Sequence, residues 1–262
     1  MRDRLTRHVN KRLVYRAGCL SAARRTSRLD AELALLLITI AGAVNAAGFV
    51  ALEQYTSHMT GLFAVIAGHI INDNAILAAS ALIGVITFIA GSIVTTVIVQ
   101  AAKRKRLYGR YAIPLLIEAM LLLYFSLKGD QLQSLYWFIP ITIGLLCSIT
   151  GLQNALVSKA SGARLRTTHI TGVVTDIGID LGHKLLQLLG NHSKHEPLPR
   201  SQLRLNTGLS SCFFMGALYG GWGMLHSGFI CLLPLAIILL VISVIPLGHD
   251  IRVFLRRTSH RD

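Results

Sequence analysis

The sequence contains few charged residues for its length. Of its 262 residues, 15% are charged and 53% are hydrophobic. A soluble domain carries about 25% charged residues, so this composition argues against an ordinary water-soluble fold. Acidic residues are the scarcest charged class, with 12 Asp and Glu against 26 Lys and Arg, and the net charge is +14.

Cysteine is also rare and is not arranged in ligand pairs. The four cysteines (Cys19, Cys147, Cys212 and Cys231) show no CxxC spacing, and three lie in apolar runs. Neither a zinc site nor a disulfide framework is predicted. The sequence also lacks a phosphate-binding glycine loop, HExxH and GxSxG, so a nucleotide-driven pump or a common hydrolase has no support. We therefore predict no cofactor, no metal and no catalytic residues.

The basic residues lie in tails and in short gaps between apolar runs. This distribution is typical of membrane proteins, whereas a nucleic-acid-binding protein concentrates basic residues on one face. Residues 1–30 contain nine Lys and Arg and are predicted to form a basic cytoplasmic tail or interfacial helix, with an Arg-rich transit peptide as the alternative. Expected partners are membrane lipid and a small solute but no nucleic acid, and homo-oligomer formation stays open.

Six stretches approach or exceed the ~20 apolar residues that a membrane-spanning helix needs. They are Ala31–Leu52, Ala75–Ala102, Tyr111–Leu127, Leu135–Val157, Leu205–Leu225 and Gly228–Leu247. Two weaker stretches are Met59–Ile71, which is short, and Ile170–Leu189, which is interrupted by charged residues. The predicted fold is an all-α membrane protein with six transmembrane helices and two short broken or re-entrant helices.

The chain contains an internal repeat. Asn45-Ala46 precedes Ser57-His58-Met59-Thr60-Gly61 (the first Thr-Gly motif), and Asn154-Ala155 precedes Thr168-His169-Ile170-Thr171-Gly172 (the second Thr-Gly motif). Further on, Phe88…Gly91 matches Phe213…Gly216. The sequence therefore predicts two membrane repeats, residues 31–127 and 135–247, between basic cytoplasmic tails at 1–30 and 248–262.

The positions of Lys and Arg predict the topology. If both weak stretches span the membrane, the basic loops at 103–110 and 159–166 lie outside. If both return to the side from which they came, all 26 Lys and Arg except Lys128 lie inside, as the positive-inside rule favours. Three crossings per repeat make the two copies inverted, which is the arrangement of many secondary transporters. Both termini are then cytoplasmic.

The two Thr-Gly motifs are the main candidate site. Hydroxyl and imidazole groups just before a short helix suit anion capture at the helix N-terminus, and they equally suit plain helix capping. Asn45 and Asn154 are included, with a packing role across the repeat interface as their alternative. The predicted substrate-binding residues are Asn45, Ser57, His58, Thr60, Gly61, Asn154, Thr168, His169, Thr171 and Gly172.

Three carboxylates inside the apolar segments are candidates for proton coupling. Glu118 lies near the centre of a predicted span, where a carboxylate costs roughly 2.5–3.5 kcal/mol, so it should face inward and be paired or protonated. Asp176 and Asp180 share one helical stripe with His169 and His183. Such a stripe suits a proton relay, a mixed-ligand metal site or simply the wet face of an interfacial helix.

At these motifs the sequence resembles the YoaK family of bacterial integral membrane proteins. The resemblance rests on Asn45-Ala46 with Gly48-Phe49, on both Thr-Gly motifs, and on the stretches 151–155 and 175–178. It covers roughly residues 30–247. Position 62 is Leu, whereas many relatives have Asn after Thr-Gly. The resemblance implies a bacterial inner-membrane protein but names no substrate.

Together these features favour a small secondary transporter or permease for a polar or anionic solute, coupled to protons through Glu118 or Asp176. The first alternative is a non-transporting membrane scaffold or sensor that binds a partner through the basic tails. The second is an intramembrane enzyme that uses the His/Asp stripe.

Overall fold

The computed structural model describes residue 20 and residues 27–133, 137–161, 170–189 and 200–258. The helices, in chain order, are α1 (Ser27–Leu52), α2 (Met59–Ile71), α3 (Ala75–Arg104), α4 (Ala112–Leu132), α5 (Phe138–Ala160), α6 (Ile170–Leu188), α7 (Arg200–Ser227) and α8 (Leu233–Thr258). A short 3₁₀ helix, Gly228–Leu232, joins α7 to α8. No described residue lies in a strand, so the predicted all-α class is confirmed.

Five segments of the described chain are long and apolar enough to cross a membrane. They are Arg28–Leu52, Ala75–Arg104, Ala112–Leu132, Phe138–Ala160 and Leu203–Arg252. α2 is apolar but has only 13 residues, or ~20 Å of helix, which is shorter than the ~30 Å hydrocarbon core. α8 continues to Thr258, past residue 247, where the sequence predicted the second repeat to end.

The segment Leu203–Arg252 is 50 residues long and folds back on itself. The Tyr219 hydroxyl donates to the Cys231 carbonyl oxygen at 2.7 Å. In one continuous helix these residues would lie ~18 Å apart along the axis. The reversal occurs at the 3₁₀ helix, where Gly228 has a positive φ of 63°. This segment therefore consists of two runs, α7 and α8.

Two pairs of helices lie side by side and run in the same direction. Between α1 and α7 the contacting pairs are Leu35 with Gly208, Thr39 with Gly216, and Ala43 with Gly220. Between α3 and α5 they are Ile83 with Gly144, Phe88 with Gly151, and Thr95 with Leu152. In both pairs the residue numbers rise together, which means that the helices are parallel.

The two parallel pairs make equivalent contacts. A Cβ atom placed on Gly42 would overlap the carbonyl oxygen of Phe213, and one on Gly151 would overlap that of Phe88. Gly216 meets the Thr39 carbonyl in the same way that Gly91 meets the Ser148 carbonyl. Gly42 and Gly151 each precede the repeat asparagine by three residues. Residues that match in the repeat therefore occupy matching places in the packing.

α4 and α8 run in opposite directions. The Asp250 carboxylate, near the end of α8, accepts hydrogen bonds from the backbone N–H groups of Tyr108 and Gly109 just before α4, at 2.9 and 2.7 Å. At the other end, a Cβ on Gly228 would lie 3.0 Å from Oδ1 of Asp130, near the end of α4. An aspartate near the end of each helix thus contacts the glycine-containing turn that precedes the other helix.

The helix contacts collect the basic residues at one end of the bundle. The Tyr111 hydroxyl donates to the Lys159 carbonyl at 3.4 Å, which places the start of α4 beside the end of α5. Phe229 packs on Phe125 at 4.6 Å between ring centroids, so α7 ends where α4 ends and begins at the opposite, basic end. The described basic residues at this end include Arg28, Lys103, Arg104, Lys105, Arg106, Arg110, Lys159, Arg204 and Arg252.

The main hydrophobic core lies where α1, α4, α5, α7, α8 and the 3₁₀ helix meet. Its largest fully buried members include Leu37, Ile40, Leu122, Phe125 and Phe229. A smaller cluster of Leu62, Ala81, Val85, Ile143 and Cys147 lies under α2. This second cluster holds α2 against α3 and α5 through the one fully buried side chain of the short helix, Leu62.

α2 begins near the middle of the bundle. The Thr56 carbonyl accepts a 2.8 Å hydrogen bond from the hydroxyl of Thr150, which is close to the midpoint of α5. Leu62 then lies beside Gly84, and α2 ends at the turn that starts α3. After α1 the chain turns back to the middle of the bundle, at the level of Thr150. α2 then runs from there to the end of the bundle at Asp73.

Candidate functional site

A cavity of about 870 Å³ lies between the residues that precede α2 and helices α3, α5 and α6. Its lining residues are Ser57, His58, Met59, Thr60, Phe88, Ser92, Thr96, Asn154, Ala155, Ser158, Lys159, Thr171, Gly172, Thr175 and Asp176. Seven of these fifteen side chains carry a hydroxyl group. This is a polar cavity within an otherwise apolar helical bundle.

The cavity brings together the described parts of both Thr-Gly motifs. Thr60 and Thr171, the equivalent threonines of the two repeats, line the same space although they are 111 residues apart. Of the residues predicted to bind substrate or couple protons, the structure places Ser57, His58, Thr60, Asn154, Thr171, Gly172 and Asp176 in the lining. Thr168 and His169 lie outside the described residues.

Asn45 holds the first Thr-Gly motif in place and does not line the cavity. Its side-chain oxygen accepts three hydrogen bonds, from Thr56 N at 3.0 Å, Ser57 N at 3.1 Å and Ser57 Oγ at 2.9 Å. Asn45 is buried. These hydrogen bonds lie within the first repeat and not across the repeat interface, and they use the acceptor oxygen of Asn45 for the chain that leads into α2.

Gly61 gives the His58 imidazole room to lie over the first turn of α2. A Cβ at Gly61 would overlap Nδ1 of the His58 ring. Tyr55 packs edge-on against the same ring with centroids 6.2 Å apart, and Phe49 stacks on Tyr55 at 4.7 Å. The glycine of the motif thus lets the histidine N-cap of α2 adopt this position. No side chain caps the helix N-terminus by a hydrogen bond at this position.

The second Thr-Gly motif continues into the first turns of α6, where Thr171, Gly172, Thr175 and Asp176 face the cavity. Thr171 and Thr175 are exposed, and the Thr175 hydroxyl donates to the Thr171 carbonyl at 2.8 Å. α6 has 19 residues and is therefore longer than predicted for a short broken helix, but hydroxyls at the start of both α2 and α6 line a shared space.

Two opposite charges line the cavity at separate places. Lys159 is next to last in α5, and it forms no ion pair with any residue that the structure describes. Asp176 lies on α6, where Asn206 donates to its Oδ2 at 3.5 Å. Together with the His58 imidazole, Lys159 gives the cavity cationic and N–H donor groups suited to an anion.

Sequence reasoning missed the α3 wall and the end of α5. Ser92, Thr96, Ser158 and Lys159 all line the cavity. The sequence contained one signal for the α3 wall. Ser92 and Thr96 are four residues apart, which puts two hydroxyls on one face of a helix long enough to span a membrane. Their place in the site depends on the parallel packing of α3 on α5, where Ser92 Oγ donates to the Gly151 carbonyl at 3.1 Å.

Glu118 and Asp180 lie outside the cavity lining, and both are buried. Glu118, on α4, accepts a hydrogen bond from the Gln153 amide of α5. Gln153 immediately precedes Asn154, which does line the cavity. Asp180 forms an ion pair with Lys184 at 2.6 Å. The His/Asp stripe predicted on α6 is therefore not uniformly exposed, because Asp176 is exposed and Asp180 is fully buried.

Metal coordination has no candidate among the residues that the structure describes. No group of three or more His, Cys, Asp or Glu side chains is close enough together there to hold an ion. The polar groups of the cavity are hydroxyls, one amide, one imidazole, one ammonium and one carboxylate, which bind polar ligands by hydrogen bonds and charge.

The fold and cavity define a helical protein with the apolar segments of a multi-pass membrane protein. Residues 33–245 match the family described as "Protein of unknown function (DUF1275)", and the chain belongs to this family. No curated protein matches the chain, and no solved structure matches it. The matched region contains both Thr-Gly motifs and every residue that lines the cavity.

Proposed function

We propose that the protein is a small secondary transporter or permease for a polar or anionic solute. The observation that carries this proposal is the polar cavity shared by Thr60 and Thr171, the equivalent residues of two repeats. Substrate sites near the midplane, between repeats and at the ends of short helices, are typical of secondary transporters. Membership of the family is compatible with this role and does not specify it.

The proposal includes six crossings arranged as two inverted repeats. The matching glycine contacts of the α1–α7 and α3–α5 pairs support a two-fold relation between the repeats. The same relation exchanges α4 with α8, and these helices run in opposite directions. A two-fold axis that exchanges antiparallel helices is perpendicular to them. Such an axis lies in the membrane plane, as it does in inverted repeats.

We assign the basic end of the bundle to the cytoplasm. Lys103, Arg104 and Lys159 lie at the ends of the parallel helices α3 and α5, and short cytoplasmic loops are rich in Lys and Arg. In this orientation α2 is re-entrant, and both termini are cytoplasmic. The bacterial inner membrane as location follows from the resemblance to YoaK proteins.

Five of the lining residues and the buried Glu118 have proposed roles. The hydroxyls of Thr60 and Thr171 bind the polar part of the solute from opposite sides. Lys159 and His58 attract an anionic group, and the N-terminal end of α2 adds the positive end of a helix dipole. Asp176 or Glu118 carries the coupled proton. Glu118 lies outside the cavity lining and is hydrogen-bonded to Gln153, whose neighbour in the sequence, Asn154, is in the lining.

Uptake into proteoliposomes tests this proposal. The purified chain is reconstituted and assayed with a panel of radiolabelled carboxylates, phosphate, sulfate and uncharged polar metabolites. The Thr60→Val and Thr171→Val variants remove one hydroxyl each with little change of volume. We expect each variant to reduce uptake of the transported solute by about tenfold, a loss equivalent to ~1.4 kcal/mol of binding.

Thr39→Val is the matched control, because the Thr39 hydroxyl donates to the Leu35 carbonyl within α1 and lies outside the cavity lining. The control should transport normally. Equal uptake by all three variants, or no uptake of any member of the panel by a folded protein, would contradict the proposal.

A further inference from the structure

Glu118 and Gln153 form a buried polar pair between α4 and α5. The Gln153 Nε2 group donates a hydrogen bond to Oε1 of Glu118, and the two residues are 0% and 1% exposed, respectively. The side-chain oxygen of Gln153 is also buried, and it accepts no hydrogen bond from any residue that the structure describes. A buried amide oxygen without a donor is unfavourable. The pair therefore lacks one hydrogen-bond donor.

No positive charge compensates the Glu118 carboxyl group. Glu118 forms no ion pair with any described residue. The elements packed against α4 are α3, α5, α8 and the 3₁₀ helix, and their described charged residues and histidines lie only near helix ends. They are Lys103 and Arg104 on α3, Lys159 on α5, and residues beyond Gly248 on α8. Lys159 is six residues, or ~9 Å of helix, from Gln153.

The other repeat has no counterpart of this pair. The repeat asparagines place Val44 at the position equivalent to Gln153, and Val44 is fully buried. The aspartates near the ends of α4 and α8 are 120 residues apart, so Glu118 corresponds to residue 238, in the wholly apolar stretch 235–238. The fold therefore does not require polar side chains at this position.

We infer that Glu118 holds a proton and that the resulting carboxylic acid donates it to the side-chain oxygen of Gln153. The acid and the amide then form a cyclic pair with two hydrogen bonds, one in each direction. This arrangement supplies the missing donor and removes an uncompensated buried charge. The inference rests on the proposed function and selects Glu118, rather than Asp176, as the carrier of the coupled proton.

Release of this proton would break half of the pair. The carboxylate would keep its hydrogen bond from the Gln153 amide, but the Gln153 oxygen would lose its donor and the charge would stay buried. Either water must then reach the pair or α4 and α5 must shift. Asn154, the next residue of α5, lines the cavity, so such a shift would occur beside the proposed binding site.

Infrared spectroscopy of the purified protein in lipid vesicles at neutral pH tests the inference. A protonated carboxylic acid has a C=O stretching band above the amide I band, whereas an ionised carboxylate has none there. We expect the protein to show such a band and Glu118→Gln to remove it. Glu32→Gln is the matched control, because Glu32 forms an ion pair with Arg28 at 3.2 Å. The control should leave the band unchanged.

Gln153→Leu tests the partner of the acid. Leucine offers neither a charge nor a hydrogen bond, so we expect Glu118 to stay protonated and its C=O band to shift to higher wavenumber. Gln153→Met, which is unbranched like glutamine, should give the same shift. Gln100→Leu, an exposed change on α3, is the control and should not shift the band. A neutral-pH spectrum without a band that Glu118→Gln removes, or a band that neither Gln153 variant shifts, would overturn the inference.

The same spectra separate this inference from the proposed function. Uptake that depends on Thr60 and Thr171, in a protein without the Glu118 band, would overturn the inference and leave the transporter proposal standing. A Glu118 band that shifts in Gln153→Leu, in a folded protein that transports no solute of the panel, would support the protonated pair and contradict the transporter proposal.

Discussion

Gly151 packs directly against the main-chain carbonyl of Phe88. The same contact recurs between Gly42 and the Phe213 carbonyl, at the matching positions of the sequence repeat. Close backbone approach at small residues is the usual way in which membrane helices associate, because packing replaces the hydrophobic driving force. The recurrence shows that the repeated sequence is also repeated as packing.

Replacing Gly151 with alanine should destabilise the protein. The added Cβ would overlap the Phe88 carbonyl, so α3 and α5 must separate, and overpacking of this kind costs about 1–3 kcal/mol. Gly178→Ala is the control, because no described atom lies within 4 Å of a Cβ there and alanine favours a helix by about 0.5–1 kcal/mol. Thermal unfolding of each purified variant in detergent measures the two changes in stability. Equal melting temperatures for the two variants would contradict the packing described for Gly151.

Asn45→Ala should loosen the segment that leads into α2. The variant leaves the Thr56 and Ser57 donors without their shared acceptor, and an unsatisfied buried donor costs about 1–3 kcal/mol. Asn45→Asp keeps an acceptor oxygen and should retain more stability. Two quantities are measured for each variant. They are the melting temperature and the rate at which a thiol reagent modifies a cysteine introduced in place of Thr60. A stable Asn45→Ala protein that had lost only ligand binding would instead indicate direct contact with substrate.

Asp250→Ala should free the turn between α3 and α4. The carboxylate accepts from the N–H groups of both Tyr108 and Gly109, and a hydrogen bond to a charged group contributes about 1.5–3 kcal/mol. We expect a lower melting temperature and faster proteolysis between residues 103 and 111. Arg252→Ala, an exposed change two residues further on, should have neither effect. Unaltered proteolysis in Asp250→Ala would contradict the role of this contact.

Glu118→Gln should separate proton coupling from folding. The amide keeps a hydrogen-bonding partner for Gln153, so the free energy of unfolding should change by no more than about 1 kcal/mol. Because glutamine cannot release a proton, stimulation of uptake by an imposed pH gradient should disappear while solute exchange persists. Gradient-driven uptake that survives in this variant would remove Glu118 from the coupling role and leave Asp176 as the candidate.

Local sequence patterns predicted most of the helices. Met59–Ile71 was predicted from its apolar run and its polar flanks, and α2 has the same bounds. The apolar span Gly228–Leu247 was predicted to end where the apolar pattern stops. The helix continues to Thr258, and the contact of Asp250 with the turn before α4 is 142 residues away in sequence. A contact between residues so far apart in the sequence cannot be predicted from a local hydrophobic pattern.

The sequence predicted the residues of the candidate site that occur in both repeats. The two Thr-Gly motifs identified Thr60 and Thr171, which the structure places around one cavity. Ser92 and Lys159 were missed, because their position depends on which helix packs against α5. Asn45 was a candidate because it also occurs in both repeats. The structure shows its side-chain oxygen hydrogen-bonded to Ser57 and does not place it in the cavity lining, so its role in substrate binding stays a prediction.

The central claim is that α2 returns to the side from which it came, so that α3 runs from outside to inside. Side-specific thiol labelling of the two ends of α3 tests it most directly, in a variant whose four cysteines are replaced by alanine. Ala75 is a better labelling position than Asp73, because Asp73 has a positive φ of 53° that disfavours cysteine. Lys105, at the other end of α3, is the internal control.

We expect a membrane-impermeant maleimide to label Ala75→Cys in intact cells and to label Lys105→Cys only after permeabilisation. The reverse pattern, with Lys105→Cys labelled from outside and Ala75→Cys protected, would contradict the account. Either α2 would cross the membrane, or the basic end of the bundle would lie outside the cell.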